Sequence, residues 1–209
     1  MSPANQEFCI NLHTGLIEQA RQSECAHFDD RDFDDRDGMA EQEGSLDSEE
    51  LAINLLVVHN ISLPPKQFGG PYIDQLFAGC LNPGEHDYFK DIAGIRVSSH
   101  LLIRRDGELV QYVPLHKRAW HAGLSSYQGR EKCNDFSIGI ELEGADDVEY
   151  EAAQYQVLTK VTRLLLQAYP NMSRERITGH SDIAPGRKTD PGPAFNWNNF
   201  FQQLDEKTE

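Results

Sequence analysis

Residues 53–58 read Ile53-Asn-Leu-Leu-Val-Val58 and are followed directly by His59. A short, largely apolar run of this kind is typical of a strand buried on both faces of a sheet. We expect this strand to end at His59. Because open sheets present ligands and catalytic groups at the carboxyl ends of their strands, His59 is a candidate site residue. A histidine that merely caps a packed core fits the same position.

The elements that follow predict both strands and helices. Residues 99–113 read as a hairpin that turns at Asp106-Gly107, and residues 136–142 alternate between apolar and small or polar side chains. Residues 151–168 place apolar side chains on one stripe of a helix. A hairpin within such a mixture predicts an α/β fold, with a mixed central β-sheet flanked by helices in a single domain. Further helices are expected over 72–77 and 195–204.

The first fifty residues differ in composition from the rest. The chain of 209 residues has a net charge of −15, and residues 24–50 hold twelve Asp or Glu and two Arg. We expect residues 1–23 to be helix-capable and residues 24–50 to form an acidic, mobile insertion. The predicted organisation is therefore an N-terminal segment over 1–50, a folded domain over 51–204 and a tail over 205–209.

Charge and hydropathy exclude several classes of protein. A net charge of −15 argues against nucleic-acid binding, although residues 96–132 carry seven basic against three acidic residues and could recognise an anionic ligand. No apolar run approaches the roughly 18 residues of a membrane span. The N-terminus lacks the basic and apolar regions of a secretory signal, so we expect a cytoplasmic protein whose four cysteines are free thiols.

Three chemically active residues lie on one loop, at 178–193. His180, Lys188 and Asp190 are interspersed there with prolines and glycines that oppose helix and strand. Together with His59, two imidazoles and one carboxylate could hold a zinc ion and leave a fourth position open. The spacing alone is not diagnostic, because 121 residues separate the two histidines.

Glu141 adds a possible general base. It lies within the alternating strand on the face opposite Ile138 and Ile140, where a carboxylate faces either solvent or a site. Gly139, the neighbouring position on that face, would leave room for a substrate or a water molecule. A glutamate beside a metal ion can accept the proton of an attacking water, and Lys188 could stabilise an oxyanion. Taken singly, an exposed strand residue and a solvated loop lysine explain both positions.

Six ordered motifs resemble one known family. These motifs are LLVVHNISLPP at 55–65, FGGPYID at 68–74, RVSSHLLIRRDGELVQYVP at 96–114, RAWHAGLSSYQGRE at 118–131, CNDFSIGIELEG at 133–144 and TGHSDIAPGRKTDPGP at 178–193. Through them the chain from about residue 55 to residue 200 resembles the zinc-dependent N-acetylmuramoyl-L-alanine amidases of the type-2 amidase family, and especially its cytoplasmic members that act on 1,6-anhydro sugars.

The resemblance implies roles for particular residues. His59, His180 and Asp190 match the family's zinc ligands, which implies one Zn²⁺ per chain, and Glu141 and Lys188 match its catalytic glutamate and its charge-stabilising lysine. Further positions fall where the family contacts the sugar and the stem peptide: Asn60, Arg96, Trp120, Lys132 and Ala184. Lys132 stands where close relatives have arginine, and a lysine lacks the bidentate fork for a carboxylate.

The resemblance also implies an activity. We expect zinc-dependent hydrolysis of the amide between the lactyl group of (1,6-anhydro-)N-acetylmuramic acid and the first L-alanine of the stem peptide, in the recycling of peptidoglycan fragments. We expect a monomer whose partner is this small muropeptide substrate, with no nucleic acid and no membrane. Two alternatives remain at this point: an amidase of broader specificity, and a non-catalytic module that binds peptidoglycan fragments.

Overall fold

The computed structural model describes residues 7–31 and 53–206. Twelve strands lie in these ranges: β1 (Ile10–Asn11), β2 (Leu16–Ile17), β3 (Arg21–Gln22), β4 (Phe28–Asp29), β5 (Leu55–Ile61), β6 (Leu101–Ile103), β7 (Leu109–Gln111), β8 (Arg118–Ala119), β9 (Ser126–Tyr127), β10 (Arg130–Glu131), β11 (Ser137–Glu143) and β12 (Ile177–Gly179). The α-helices are α1 (Tyr72–Phe77), α2 (Phe89–Ile92), α3 (Ala152–Ala168), α4 (His180–Ile183) and α5 (Trp197–Asp205).

A six-stranded sheet in the order β12-β5-β11-β6-β7-β3 forms the centre of the molecule. The four strands from β12 to β6 are parallel, β7 returns antiparallel to β6 as the expected hairpin, and β3 adds a parallel edge. The mixed central sheet flanked by helices is therefore confirmed. The topology brings the carboxyl ends of β5, β11 and β12 to one edge of the sheet.

The two faces of the sheet are covered differently. On one face, Leu56, Val58 and Ile140 pack beneath α3 and α5 in the largest apolar cluster. The apolar stripe of α3 was predicted from its spacing, and Val157, Val161 and Leu165 are indeed fully buried. The other face of the sheet carries a smaller apolar cluster. The polar residues of this face lie towards the carboxyl ends of the strands. The members of that cluster include Leu55, Val57, Ala122, Cys133, Phe136 and Ile183.

Three local predictions need correction. The first strand does not end at His59 but continues to Ile61, because β11 pairs with it in parallel up to Glu143. Residues 7–23 form the short strands β1, β2 and β3, so the expectation of a helix there is wrong. The loop that begins at Thr178 opens with two strand residues, Thr178 and Gly179, and one helical turn, α4, and its prolines and remaining glycines follow that turn.

The acidic segment also departs from expectation in its first part. Residues 24–31 are not a mobile excursion, because β4 pairs with β8 and Asp29 accepts two hydrogen bonds of 2.7 Å from the Arg118 guanidinium. Arg31 is buried and donates to the carbonyls of Asn134 and Ser137 at 3.0 and 2.8 Å. Paired charges and satisfied carbonyls stabilise a segment in which charged residues outnumber large apolar ones. The rest of the predicted insertion lies outside the described residues.

Two predictions from composition can be compared with the structure. All four cysteines are free thiols, and Cys133 is the buried one. Within the described ranges, none of the helices combines the length and apolar character that a membrane crossing requires.

Candidate active site

A pocket of about 600 Å³ opens at the carboxyl edge of the sheet, where β5 and β11 end. The parallel register pairs Glu141 directly with His59, so the two side chains stand beside each other on the same face. β12 runs on the other side of β5 and leads into His180 at the start of α4. Three adjacent strands thus deliver three of the predicted site residues to one place.

His59, His180 and Asp190 meet in a triangle. The His59 Nδ1, His180 Nδ1 and Asp190 Oδ2 atoms lie 3.0 Å from one another along all three edges. Both histidines are almost fully buried, and Asp190 is partly buried. Among the described residues, this group has the composition and spacing of a metal site. The loop prediction and the strand prediction therefore converge on one cluster.

The electrostatics of the triangle suit a cation. Burial lowers the pKa of His59 to about 4, although its contact with Asp190 acts in the opposite direction. Burial tends to raise the pKa of Asp190, but its contacts with the His180 and His59 rings outweigh burial and hold that pKa below its usual range. Neutral imidazoles and an ionised carboxylate are the protonation states that metal coordination requires.

The other nitrogen of each ligand histidine is also bound. His180 Nε2 donates to the Ala122 carbonyl oxygen at 3.1 Å, which leaves Nδ1 with a free lone pair. His59 Nε2 lies 2.8 Å from His121 Nδ1, and His121 Nε2 lies 3.1 Å from the Ser137 hydroxyl. Partners of this kind hold the ring orientation of a metal ligand.

Glu141 lies in the pocket as a buried carboxylate. Its side chain retains 9% exposure, and among the described residues its Oε2 atom has no hydrogen-bond partner. Burial raises its pKa well above the usual value, the charge of Asp190 raises it further, and Lys188 acts in the opposite direction. A carboxylate with these properties is typical of a group that takes up a proton during a reaction.

Lys188 is exposed and lines the same pocket. Its backbone amide donates to the Ala184 carbonyl at 3.1 Å, within the turn that follows α4. Its charge lowers the pKa values of both His59 and Glu141. A cation thus faces the two groups on which a reaction at this pocket would depend.

Three predicted substrate residues lie at the pocket or at its border. Asn60 lines the pocket, and its amide donates to Asp146 at 2.8 Å and to the Pro191 carbonyl at 3.1 Å. Arg96 lies 4.9 Å above the Trp120 ring, on the segment whose neighbours Val97 and Ser98 line the pocket. The Trp120 amide donates to the Ser98 hydroxyl at 2.8 Å, and its ring nitrogen donates to Asp29.

The remaining two predicted contacts do not line this pocket. Ala184 is buried, and its carbonyl accepts the amides of Arg187 and Lys188, so its observed contacts turn the loop. Lys132 is exposed and occupies a left-handed backbone conformation with φ of 60°, where its amide donates to the Ser125 carbonyl.

Sequence reasoning missed the opposite side of the pocket. We name the side that holds His59, His121, Glu141, His180, Lys188 and Asp190 the metal wall. The apolar wall faces it and consists of Leu76, Phe77, Tyr88, Ile92, Ile95 and Val97. Its members come from α1, from α2 and the preceding residue Tyr88, and from the segment after α2, and their spacing in the sequence carries no chemical signal.

The role expected of Gly139 is wrong. The space beside it is not open to substrate, because the His121 imidazole fills it. A Cβ atom at position 139 would lie 2.5 Å from His121 Cγ, which is closer than real contacts allow. The glycine makes room for a histidine that contacts the metal-site residue His59.

Comparison with known proteins places this site in a wider group. The sequence profile described as N-acetylmuramoyl-L-alanine amidase matches residues 49–193. The 1,6-anhydro-N-acetylmuramyl-L-alanine amidase AmpD of Escherichia coli (strain K12) is 64% identical over 154 residues, which are 74% of this chain and 84% of that protein.

Two solved structures extend the comparison. The crystal structure of a selenomethionine AmpD derivative superposes with a TM-score of 0.82 at 52% identity and covers 94% of this chain and 99% of its own. The second is the amidase AmiD from E. coli in complex with the substrate anhydro-N-acetylmuramic acid-L-Ala-D-γ-Glu-L-Lys. It has a TM-score of 0.53 at 30% identity, over 78% of this chain and 60% of that one.

Proposed function

This chain belongs to the N-acetylmuramoyl-L-alanine amidase family, and on that basis we propose that it hydrolyses the lactyl amide of 1,6-anhydro-N-acetylmuramyl peptides. The bond cleaved joins the lactyl group of the sugar to the first L-alanine. The observation that carries the proposal is the register that sets Glu141 beside His59 at a three-residue metal cluster. The name of the E. coli relative and the substrate bound to AmiD support the choice of an anhydro sugar.

We propose Zn²⁺ as the metal, one ion per chain, held by His59, His180 and Asp190. Two imidazole nitrogens and one carboxylate oxygen form the donor set of many catalytic zinc sites. Around a tetrahedral zinc ion the ligand atoms lie about 3.3 Å apart, close to the 3.0 Å edges of the triangle. When bound, the ion would supply Lewis-acid polarisation of a carbonyl oxygen and of a water molecule.

The chain's own residues complete the chemistry. Glu141 accepts a proton from the attacking water, because its raised pKa makes it a strong base when ionised. It then delivers that proton to the amine that leaves with L-alanine. Lys188 faces the pocket as a cation and stabilises the negative charge that develops on the carbonyl oxygen.

Substrate recognition is assigned to the remaining surface of the pocket. The cavity of about 600 Å³ has room for a sugar and the first residues of a peptide. We propose that Asn60 and the Arg96–Trp120 pair contact the substrate from its border, while the apolar wall packs against the sugar. Lys132 and Ala184 would reach it only through longer chains of contacts. Turnover of imported wall fragments in the cytoplasm, by a monomer, fits this substrate.

Product analysis tests the proposal. Protein of known metal content is incubated with anhydro-muramyl tripeptide and, separately, with the non-anhydro form, with and without a chelator. We expect free tripeptide from the anhydro substrate and its loss on chelation. Equal rates on both sugars would contradict the proposed preference, and an uncleaved lactyl amide would contradict the activity itself.

A further inference from the structure

His121 is a buried histidine of the metal wall that the proposed chemistry does not use. It is 8% exposed, and both of its ring nitrogens have a partner. Nδ1 faces His59 Nε2 at 2.8 Å, and Nε2 faces the Ser137 Oγ atom at 3.1 Å. It therefore connects a residue of the metal cluster to the first residue of β11.

The direction of these hydrogen bonds follows from the last group in the chain. The Ser137 Oγ atom lies 2.5 Å from the Cys133 carbonyl oxygen, which can only accept, so the single hydroxyl proton must lie between these two oxygens. Oγ then has only lone pairs to offer to His121. The neutral His121 ring must donate from Nε2, which leaves Nδ1 as an acceptor.

The donor and acceptor of the next hydrogen bond, between His121 and His59, follow from this assignment. Because His121 Nδ1 accepts, His59 donates from Nε2, and its Nδ1 atom keeps the free lone pair that points at His180 and Asp190. His180 reaches the same tautomer by donating from Nε2 to the Ala122 carbonyl. Residues 121 and 122 thus orient both ligand histidines.

Two further contacts hold this pair of residues in place. The amides of His121 and Ala122 both donate to the Asn134 side-chain oxygen, at 3.1 and 2.8 Å. Gly139 provides the space for the His121 ring, since any Cβ atom there would collide with it. The His121 imidazole is therefore held by the hydrogen bond of its backbone amide, by its contact with Gly139 and by a partner at each ring nitrogen.

We propose that His121 and Ser137 are positioning residues that hold His59 in the tautomer that binds the metal. The inference rests on the proposed metal site and extends it to two residues that touch neither the metal nor the reacting atoms. Outer partners of metal ligands typically contribute 10- to 100-fold to metal affinity. The acceptor at His121 Nδ1 is the feature that matters, and a side chain that keeps an acceptor at that position should suffice.

Zinc affinity, measured by chelator competition, tests this without recourse to turnover. We expect His121→Leu, which removes the acceptor, to bind Zn²⁺ about 10- to 100-fold more weakly. His121→Asn carries Oδ1 at the same number of bonds from Cα as Nδ1 and should stay close to wild type. Ser137→Ala should lose affinity by less than His121→Leu. The exposed His13→Asn serves as the matched control and should bind like wild type.

Equal loss in His121→Asn and His121→Leu would overturn the proposal, since the loss would then report packing alone. So would unchanged affinity in His121→Leu. Nitrogen-15 spectra of the zinc-loaded wild type give a second test that does not depend on whether a variant folds. We expect His121 to be protonated at Nε2 only. Protonation at Nδ1 would contradict the proposed positioning role of His121. A wild-type protein that binds no zinc would refute both the metal site and the positioning role of His121 and Ser137. Zinc binding without hydrolysis would refute the proposed function alone.

Discussion

The metal wall and the apolar wall face each other across one pocket but are built in different ways. On the metal wall, His59 and His180 are almost fully buried, and each uses both ring nitrogens. On the apolar wall, Tyr88 and Ile95 are 39% and 45% exposed. Chemistry needs atoms held to within a fraction of an ångström, whereas apolar packing against a bound substrate depends on buried area and tolerates small displacements. Substitutions on the two walls should therefore differ in size and in kind.

Within the metal wall, the two carboxylates are pushed in opposite directions. Contacts with the rings of two histidines hold the pKa of Asp190 below its usual range, while burial raises the pKa of Glu141. A pair of acids whose pKa values are separated in this way divides its tasks, and here one would bind a cation while the other carries a proton. The first predictions test that division.

The largest effect is expected from Asp190→Ala. Loss of one of three ligands should remove the metal and with it several kcal/mol of transition-state stabilisation, so kcat/KM should fall on the order of 10⁴-fold. Bound zinc, measured by elemental analysis, should fall in parallel. Asp87→Ala, an exposed carboxylate outside the pocket, is the control and should keep both. A variant that loses zinc but retains activity would contradict the proposal that the activity depends on the metal held by Asp190.

Glu141→Gln should lower kcat by about 10³-fold while zinc content stays at the wild-type level, because an amide cannot accept the proton of the attacking water. Steady-state kinetics together with metal analysis distinguish this result from ligand loss. Turnover near the wild-type rate would show that another group is the base.

Lys188→Ala should lower kcat by about 10²-fold with little change in KM, since the charge is needed chiefly when negative charge develops on the carbonyl oxygen. Lys188→Arg should recover part of the loss because it keeps the charge. An increase in KM alone would reassign Lys188 to ground-state binding of the substrate.

Glu141→Gln should also change stability, and its sign depends on pH. Because burial raises the pKa of Glu141 in the folded state above its ordinary value of 4.5, the wild-type protein loses stability as the pH rises from that value through the folded pKa. The variant has no such loss. In metal-free protein its Tm should exceed the wild-type Tm at pH 8 by about 2–12 °C, for a desolvation cost of about 1–3 kcal/mol.

At pH 4 both states of the wild-type protein hold the proton on Glu141, so the two Tm values should nearly coincide there. Thermal melts at pH 4, 6 and 8 measure the trend. A difference in Tm that is constant with pH would mean that the carboxylate is solvated in the folded protein.

The smallest effect is expected on the apolar wall. Ile95→Ala should raise KM about fivefold, corresponding to about 1 kcal/mol of lost apolar contact, and leave kcat unchanged. Leu124→Ala, which removes an equally apolar side chain that is 86% exposed and does not line the pocket, is the matched control. A fall in kcat for Ile95→Ala would remove the distinction between the walls.

The sequence predicted the metal wall better than its surroundings, for physical reasons. His59 and Glu141 lie on strands whose apolar periodicity reveals both the element and its facing side, and β-sheet register then brings them together. The cluster with His180 and Asp190 followed from residue chemistry and family motifs.

The parts that were missed depend on contacts between distant segments. Nothing in the sequence near Gly139 shows that the ring of His121 fills its space. Residues 24–31 have a defined structure because Arg118 donates to Asp29 and because Arg31 donates to carbonyl oxygens more than 80 residues away. The apolar wall is made of ordinary apolar side chains that separate segments of the chain bring to the pocket.

Zinc titration into metal-free protein tests the central claim most directly. Bound zinc and the rate of release of L-alanine peptide from anhydro-muramyl substrate are measured in the same samples. We predict that the rate rises in proportion to bound zinc and reaches its plateau at one ion per chain. Hydrolysis by the metal-free protein would contradict the account. So would a rate that does not change as zinc binds.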